Sequence, residues 1–227
     1  MINPHVSADC VVFGFDGKCL NVLLIEQEHL GQVRHFALPG DHVLDEESLD
    51  DAANRVLYEL TSLKGVFLHQ CGAFGDPNRV RNDKDYPWLV KYRDNPKTRV
   101  ITVAYFALVK MEEVIPSASS FAHRVFWQNI NDVPELAFDH DSIYAQALEV
   151  LRREMKYRRS GFELLPEKFT LSQLQTLHEA VYAEVFDKRN FRKKVLKDRL
   201  VLPLEEKHKV GVHKPARLYE MNPEPAE

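Results

Sequence analysis

Over the first 140 residues the apolar positions come in short runs rich in branched and aromatic side chains; beyond them the spacing is helical. Ala8–Phe15 and Cys19–Glu26 are two such runs joined by Asp16-Gly17, which predicts a β-hairpin. His35–Leu38 leads into Pro39-Gly40, a loop signal. From Ser48 to Leu60 the period changes. Leu49, Ala52, Ala53, Val56, Leu57 and Leu60 fall on one face of a helix, with Ser48 at its start. Strands are predicted over Phe67–Phe74, Thr98–Lys110 and Phe121–Gln128, and the polar stretch Gly75–Lys97 between the first two reads as a loop. The expectation is a mixed sheet with the 48–60 helix packed against it.

After Asp132 a connecting helix is predicted over Asp141–Arg158, with Ile143, Ala147, Val150, Leu151 and Met155 as its apolar stripe. Thr170 and Gln173 form a capping box that opens the next helix, whose inward residues are Leu171, Leu174, Leu177, Val181 and Tyr182. Asp187 then reads as the N-cap of a second helix, Asp187–Arg199. There Phe191, Val195 and Leu196 are expected inside, and Lys188, Arg189, Arg192, Lys193 and Lys197 outside. Leu200–Leu204, the charged segment Glu205–Lys209 and Pro215–Met221 complete two strands around a loop containing Gly211. Helix, turn, basic helix and hairpin are the order of a winged helix-turn-helix. The fold class expected is α+β, an α/β/α mixed-sheet domain over 1–140 followed by connecting helix and winged helix over 141–227.

Charge sharpens this division. The formal charge of −4 splits into 13 basic and 20 acidic side chains in residues 1–140, a net −7, against 17 and 14 in residues 141–227, a net +3. The basic part is the one expected to meet a polyanion. Seven basic side chains lie within residues 187–199, beside Asn190, a side chain type that reads adenine. A lysine-rich helix alone is more often a solvated face; the hairpin and the basic Lys207-His208-Lys209 shift the reading to DNA. Lys188, Arg189, Asn190, Arg192, Lys193, Lys207 and Lys209 are therefore the expected DNA contacts. Cys10, Cys19 and Cys71 form no metal or disulfide pattern and read as reduced thiols. No apolar run approaches membrane length, and MINPHVSADC lacks signal-peptide character, so a cytoplasmic protein with no membrane association is expected.

The stretch Gly40–Leu63 resembles a Nudix box, G-x5-E-x7-R-E-U-x-E-E-x-G-U with U apolar, begun at Asp41. Glu47, Arg55, Leu57, Glu59 and Leu63 match; Asp41, Val56, Leu60 and Ser62 replace Gly, Glu, Glu and Gly. Two of the three helix glutamates that bind metal in this family are thus apolar, and one carboxylate is a poor magnesium site. Leu38-Pro39-Gly40, Glu46-Glu47-Ser48-Leu49, Phe74-Gly75-Asp76-Pro77, Val103–Val109, Phe169-Thr170-Leu171, Lys188–Lys193 and Pro215–Tyr219 extend the likeness. Together they resemble the Nudix-related transcriptional regulators, which join a degenerate Nudix domain to a C-terminal winged helix. The resemblance implies a homodimer on a palindromic operator, one basic helix per half-site, released by a small effector.

One branch of that family responds to ADP-ribose and represses genes of NAD biosynthesis; another regulates sugar use, including an arabinose-responsive regulator. ADP-ribose without metal needs two or three Lys or Arg on its pyrophosphate, for which Arg34, Arg55, Arg79, Arg81 and Lys91 are available, Arg55 being expected to bridge box carboxylates. An uncharged sugar needs a few polar groups and an aromatic wall, and Glu26, Arg34, Phe36, Asp41, Glu59 and Asp76 can supply them. The acidic N-terminal part favours a neutral pentose-type sugar, and the resemblance to the sugar-use branch implies L-arabinose, with no cofactor, metal or catalysis. An ADP-ribose-responsive regulator is the alternative, and an active pyrophosphohydrolase the competing class, disfavoured by Val56 and Leu60.

Overall fold

A computed structural model describes residues 2–29, 33–114, 123–157, 161–208 and 215–223. The chain divides into two compact units, residues 1–14 with 21–150, and residues 15–20 with 151–227. The sequence placed the division at 140/141.

The first unit is built on a seven-stranded sheet. Its strands are β1 (Ile2–Phe15), β2 (Leu20–His29), β3 (Val33–Ala37), β4 (Gly40–Leu44), β5 (Leu68–Phe74), β6 (Ile101–Lys110) and β7 (Arg124–Asn129). The path runs β3-β2-β1-β6-β5, with β4 paired to β1 and β7 to β2. Ala8, Cys10, Val11, Val12 and Phe13 of β1 are fully buried, as a strand covered on both faces requires. The predicted turn between β1 and β2 is present: the Asp16 carboxylate accepts from the Lys18 and Cys19 amides, and Gly17 takes φ 90°.

Helix α1 (Leu49–Thr61) covers the sheet. Ser48 is its N-cap, in a capping box with Asp51, and its last turn ends at Ser62 in the left-handed region, φ 59°. Ala52, Ala53, Val56, Leu57 and Leu60 are buried in the core that Cys10, Val12, Leu23 and Tyr105 supply from the strands. The Tyr105 hydroxyl, from β6, donates to Asp50 at 2.7 Å.

The stretch 75–97, expected to be a loop, contains a short helix, α2 (Tyr86–Tyr92). Pro87 in its first turn is compatible with helix initiation, and buried Leu89 anchors it. Three contacts bind this stretch to the residues before α3 (His140–Tyr157): Arg79 to Asp139, Lys84 to Glu135, and the Phe138 amide to the Asp85 carboxylate. The strand expected from Phe121 begins at Arg124; residues 121 and 122 lie outside the described ones.

In the second unit, α4 (Leu171–Tyr182) carries the predicted Thr170/Gln173 capping box, and α5 (Lys188–Lys197) is capped by Asp187, which accepts from the Asn190 amide at 2.8 Å. Leu171, Leu174, Leu177 and Val181 of α4 are buried, Tyr182 partly. Strands β8 (Val201–His208) and β9 (Ala216–Met221) pair antiparallel. Phe169 adds a bridge to Tyr219, their amides and carbonyls bonded at 2.8 and 2.9 Å. The end of α3 is tied to α4, with Arg152 Nε donating to the Val181 carbonyl and the Tyr182 hydroxyl to the Arg152 carbonyl. Leu196, expected inside, is 46% exposed. Phe191 and Val195 already fill the contact with α4, and position 196 falls round the helix from it.

Candidate functional site

The first unit holds a cavity of about 320 Å³. Its floor comes from β1 and β4, through Asp9 and Asp41, and one wall from the stretch 79–93, through Arg79, Trp88, Tyr92 and Arg93. Phe138 and His140, at the start of α3, close the other side. Trp88 and Phe138 meet edge to face, their ring centroids 5.5 Å apart, so the cavity has an aromatic wall.

A buried ion network lies beneath. Arg79 forms a two-pronged pair with Asp139, at 2.7 and 2.8 Å, and reaches Asp9 at 3.4 Å. His140 Nδ1 accepts from the Leu38 amide, so the neutral ring carries its proton on Nε2, which faces Asp9 at 3.7 Å. Burial lowers the pKa of His140, although the Asp9 charge opposes this. His42 is lowered by burial and by the charge of Arg93. Both rings are therefore neutral near pH 7. The glycine at 40 belongs to this arrangement, because a Cβ there would collide with Asp9 Oδ1.

Arg93 is different from Arg79. Burial, followed by the nearby Arg79 charge, lowers its pKa, yet a guanidinium stays charged. Its Nη1 is buried and has no hydrogen-bond partner among the described residues.

Of the expected effector residues, the cavity lining includes Asp41. Glu26 is buried and pairs with Arg124 at 3.6 Å. Phe36 packs edge-on against Phe126 at 5.8 Å. Glu59 faces Arg55 at 3.6 Å, and Asp76 is exposed, capping the Asn78 amide. The Arg34 side chain lies outside the described residues. These positions do not form the single cleft that their sequence order suggested: β2 pairs with β3 and β7 there, so Glu26 and Phe36 are spent on strand contacts. Asp9, Arg93 and His140 were missed. Asp9 stands in an apolar strand, and its partners are 70 or more residues away.

Arg55 is the bridge that the sequence led us to expect. It holds Glu47 through two nitrogens at 2.8 and 3.1 Å, Asp41 at 2.8 Å and the His42 carbonyl at 2.9 Å. The Nudix fold implies magnesium, and the donor set here does not fit it. Val56 and Leu60 are fully buried in the core, Glu47 and Asp41 are engaged by Arg55, and Glu59 is left as the one carboxylate of that helix face. Among the described residues no group of three His, Cys, Asp or Glu could hold a metal ion.

In the second unit Lys188, Arg189, Asn190, Lys193, Lys194 and Lys197 are exposed on α5. Arg192 departs from the expectation: it is half-buried, and its Nη2 donates to Ser172 Oγ on α4 at 3.2 Å. Its guanidinium therefore joins the two helices. Lys207 lies in β8 with its side chain outside the described residues, as is the whole of Lys209 and the loop at Gly211. Among the described residues no helix is long and apolar enough to cross a membrane.

Comparison with known proteins assigns both units. Residues 3–149 match the Nudix domain, and residues 161–221 match the NrtR DNA-binding winged helix domain. The chain is 27% identical over 221 residues to an ADPR-responsive transcriptional repressor, NtrR, of Acinetobacter baylyi, covering 96% of this chain and 82% of that one. A crystal structure of Shewanella oneidensis NrtR complexed with a 27mer DNA superposes with a TM-score of 0.73 at 28% identity, covering 96% of this chain and 94% of that one. The NUDIX domain of the same S. oneidensis protein, complexed with ADP ribose, superposes with a TM-score of 0.50 at 26% identity over 66% of this chain and 90% of that one. The chain belongs to the Nudix family, and its C-terminal unit is a winged-helix DNA-binding domain of the NrtR type.

Proposed function

We propose that this protein is an ADP-ribose-responsive transcriptional repressor that binds ADP-ribose in the cavity of its first unit without metal or hydrolysis. The observation that carries the reading is the likeness to S. oneidensis NrtR along nearly the whole of both chains. That protein's Nudix domain was solved with ADP ribose, and the protein itself in complex with a 27mer DNA. The cavity supports the same ligand. An aromatic wall suits a purine, and Arg93 with Arg79 supplies the positive charge that a pyrophosphate needs where magnesium has no site.

L-arabinose, the effector favoured on sequence, has no support in these relatives. Of the carboxylates invoked for it, Asp41 and Glu59 face Arg55 and Glu26 faces Arg124. DNA is read by the exposed face of α5, and the protein acts as a homodimer on a palindromic operator. ADP-ribose shifts the dimer towards a state with weaker DNA affinity.

The test is an electrophoretic shift on DNA selected by the full chain from a random pool. ADP-ribose should release the DNA, and L-arabinose should not. Release by arabinose without response to ADP-ribose would restore the sugar reading. Incubation with ADP-ribose and magnesium should leave the ligand intact; cleavage that disappears in Glu59→Gln would return the chain to the hydrolases.

A further inference from the structure

We propose that Arg93 is the residue that grips the phosphate oxygens of the effector, and that Arg79, the other guanidinium of the cavity, is a structural tie that the ligand leaves in place. The inference rests on reading this cavity as the effector site. The hydrogen bonds of the two arginines separate their roles. Arg79 commits Nε and Nη2 to Asp139 and shares Nη2 with Asp9, so its charge is already balanced by two carboxylates held in a buried network. Asp41, which also lines the cavity, is already bonded to Arg55. Arg93 lines the same cavity with its Nη1 buried and bonded to nothing among the described residues.

A buried guanidinium nitrogen without an acceptor is costly, and an incoming oxygen anion removes that cost. A neutral hydroxyl could accept the same hydrogen bond, but it would leave the positive charge unbalanced beside Arg79. The planar fork of arginine matches two phosphate oxygens at once. Position and rigidity agree with this role. Arg93 ends α2, and its amide is bonded to the Leu89 carbonyl. The stretch that carries it is anchored by the Arg79–Asp139 pair and by Asp85 on the Phe138 amide. Trp88, on the same helix, sets the aromatic wall beside it. The site therefore takes a ligand with a phosphate group near a flat ring, in which stacking is read by Trp88 on the short helix and charge by Arg93 at its C-cap.

Calorimetry on the full chain separates the alternatives, with ADP-ribose, adenosine and inorganic pyrophosphate as probes. Arg93→Gln should weaken ADP-ribose roughly 10- to 100-fold, the loss of a charged hydrogen-bond pair, while adenosine binds as before. Arg93→Lys, which keeps the charge and loses the fork, should fall between. Thermal melting checks that each variant folds; if Arg93→Gln does not, Arg93→Lys carries the test. Unchanged ADP-ribose affinity in the folded variant, or equal loss of adenosine, overturns the role of Arg93. If the wild type ignores ADP-ribose but binds pyrophosphate through Arg93, the functional reading fails and the anion grip stands. If it binds neither, both fail.

Discussion

His178 gives the winged-helix unit a calculable acid sensitivity. Its ring lies on α4 against Phe191 of α5, with centroids 5.2 Å apart, and is stacked at 6.0 Å on Tyr182 and flanked by Phe186 at 6.5 Å. Burial, with a smaller contribution from the Lys194 charge, pushes its pKa from 6.5 down to about 4. The unfolded chain protonates this ring below pH 6.5, and the folded chain resists until about pH 4. Between these values the unfolded state holds more protons, so stability falls as the pH falls. The contribution is fully present above pH 6.5 and lost by the lower pKa. At 1.36 kcal/mol per pKa unit it amounts to at most ~3 kcal/mol, less to the extent that the ring keeps some solvent contact. His178→Phe preserves an aromatic ring of similar size and should abolish this part of the pH dependence. Hydrogen exchange across residues 171–197, read by mass spectrometry at pH 7, 5.5 and 4.5 after correction for intrinsic rates, measures the local stability of both proteins. The wild type should lose protection relative to His178→Phe as the pH drops. Parallel loss in both, or an imidazole titration by NMR near 6.5, would refute the reasoning.

Other predictions follow from contacts already described. Arg79→Met strands Asp9 and Asp139 beside a buried cavity and should cost the first unit about 3–5 kcal/mol. Trp88 and Trp127 both lie in that unit, so urea denaturation followed by tryptophan fluorescence reads the loss directly. Tyr105→Phe removes the bond to Asp50 and should cost about 1 kcal/mol, with Asp50→Ala adding little in the same background; additive losses would show the two groups uncoupled. Arg189→Ala, at an exposed position, should weaken selected DNA by about 1–3 kcal/mol with melting unchanged, whereas Arg192→Ala should also lower the melting temperature because Arg192 holds Ser172. Equal melting in the two variants would remove the bridging role assigned to Arg192.

What could be read from the sequence followed from local chemistry. Ser48, Thr170 and Asp187 are caps whose partners lie three residues away, so the starts of α1, α4 and α5 were legible. The apolar stripe of α1 carried its burial, Val56 and Leu60 included. The cavity was not legible in this way. Asp9 and Arg79 are 70 residues apart, and His140 meets Leu38 across 102. No period or motif links such pairs. Helix α2 was hidden because its seven residues are too few for a helical period, and a proline stands among them. The contacts of Glu26 and Phe36 were hidden for a related reason: the strand order that gives them Arg124 and Phe126 as neighbours is a property of the whole sheet. The net acidity of residues 1–140 also misled, since it averages over the surface, whereas the cavity pairs each of its carboxylates with an arginine.

Gly40 offers a different lesson, about inheritance. No side chain fits at 40 while Asp9 keeps its place under the cavity. The two positions are therefore locked together. A side chain at 40 has to be accompanied by a shift or loss of the Asp9 carboxylate, and either one takes a partner from Arg79. Relatives of this chain that carry a side chain at position 40 should therefore also differ at 9 or in how residue 9 meets Arg79.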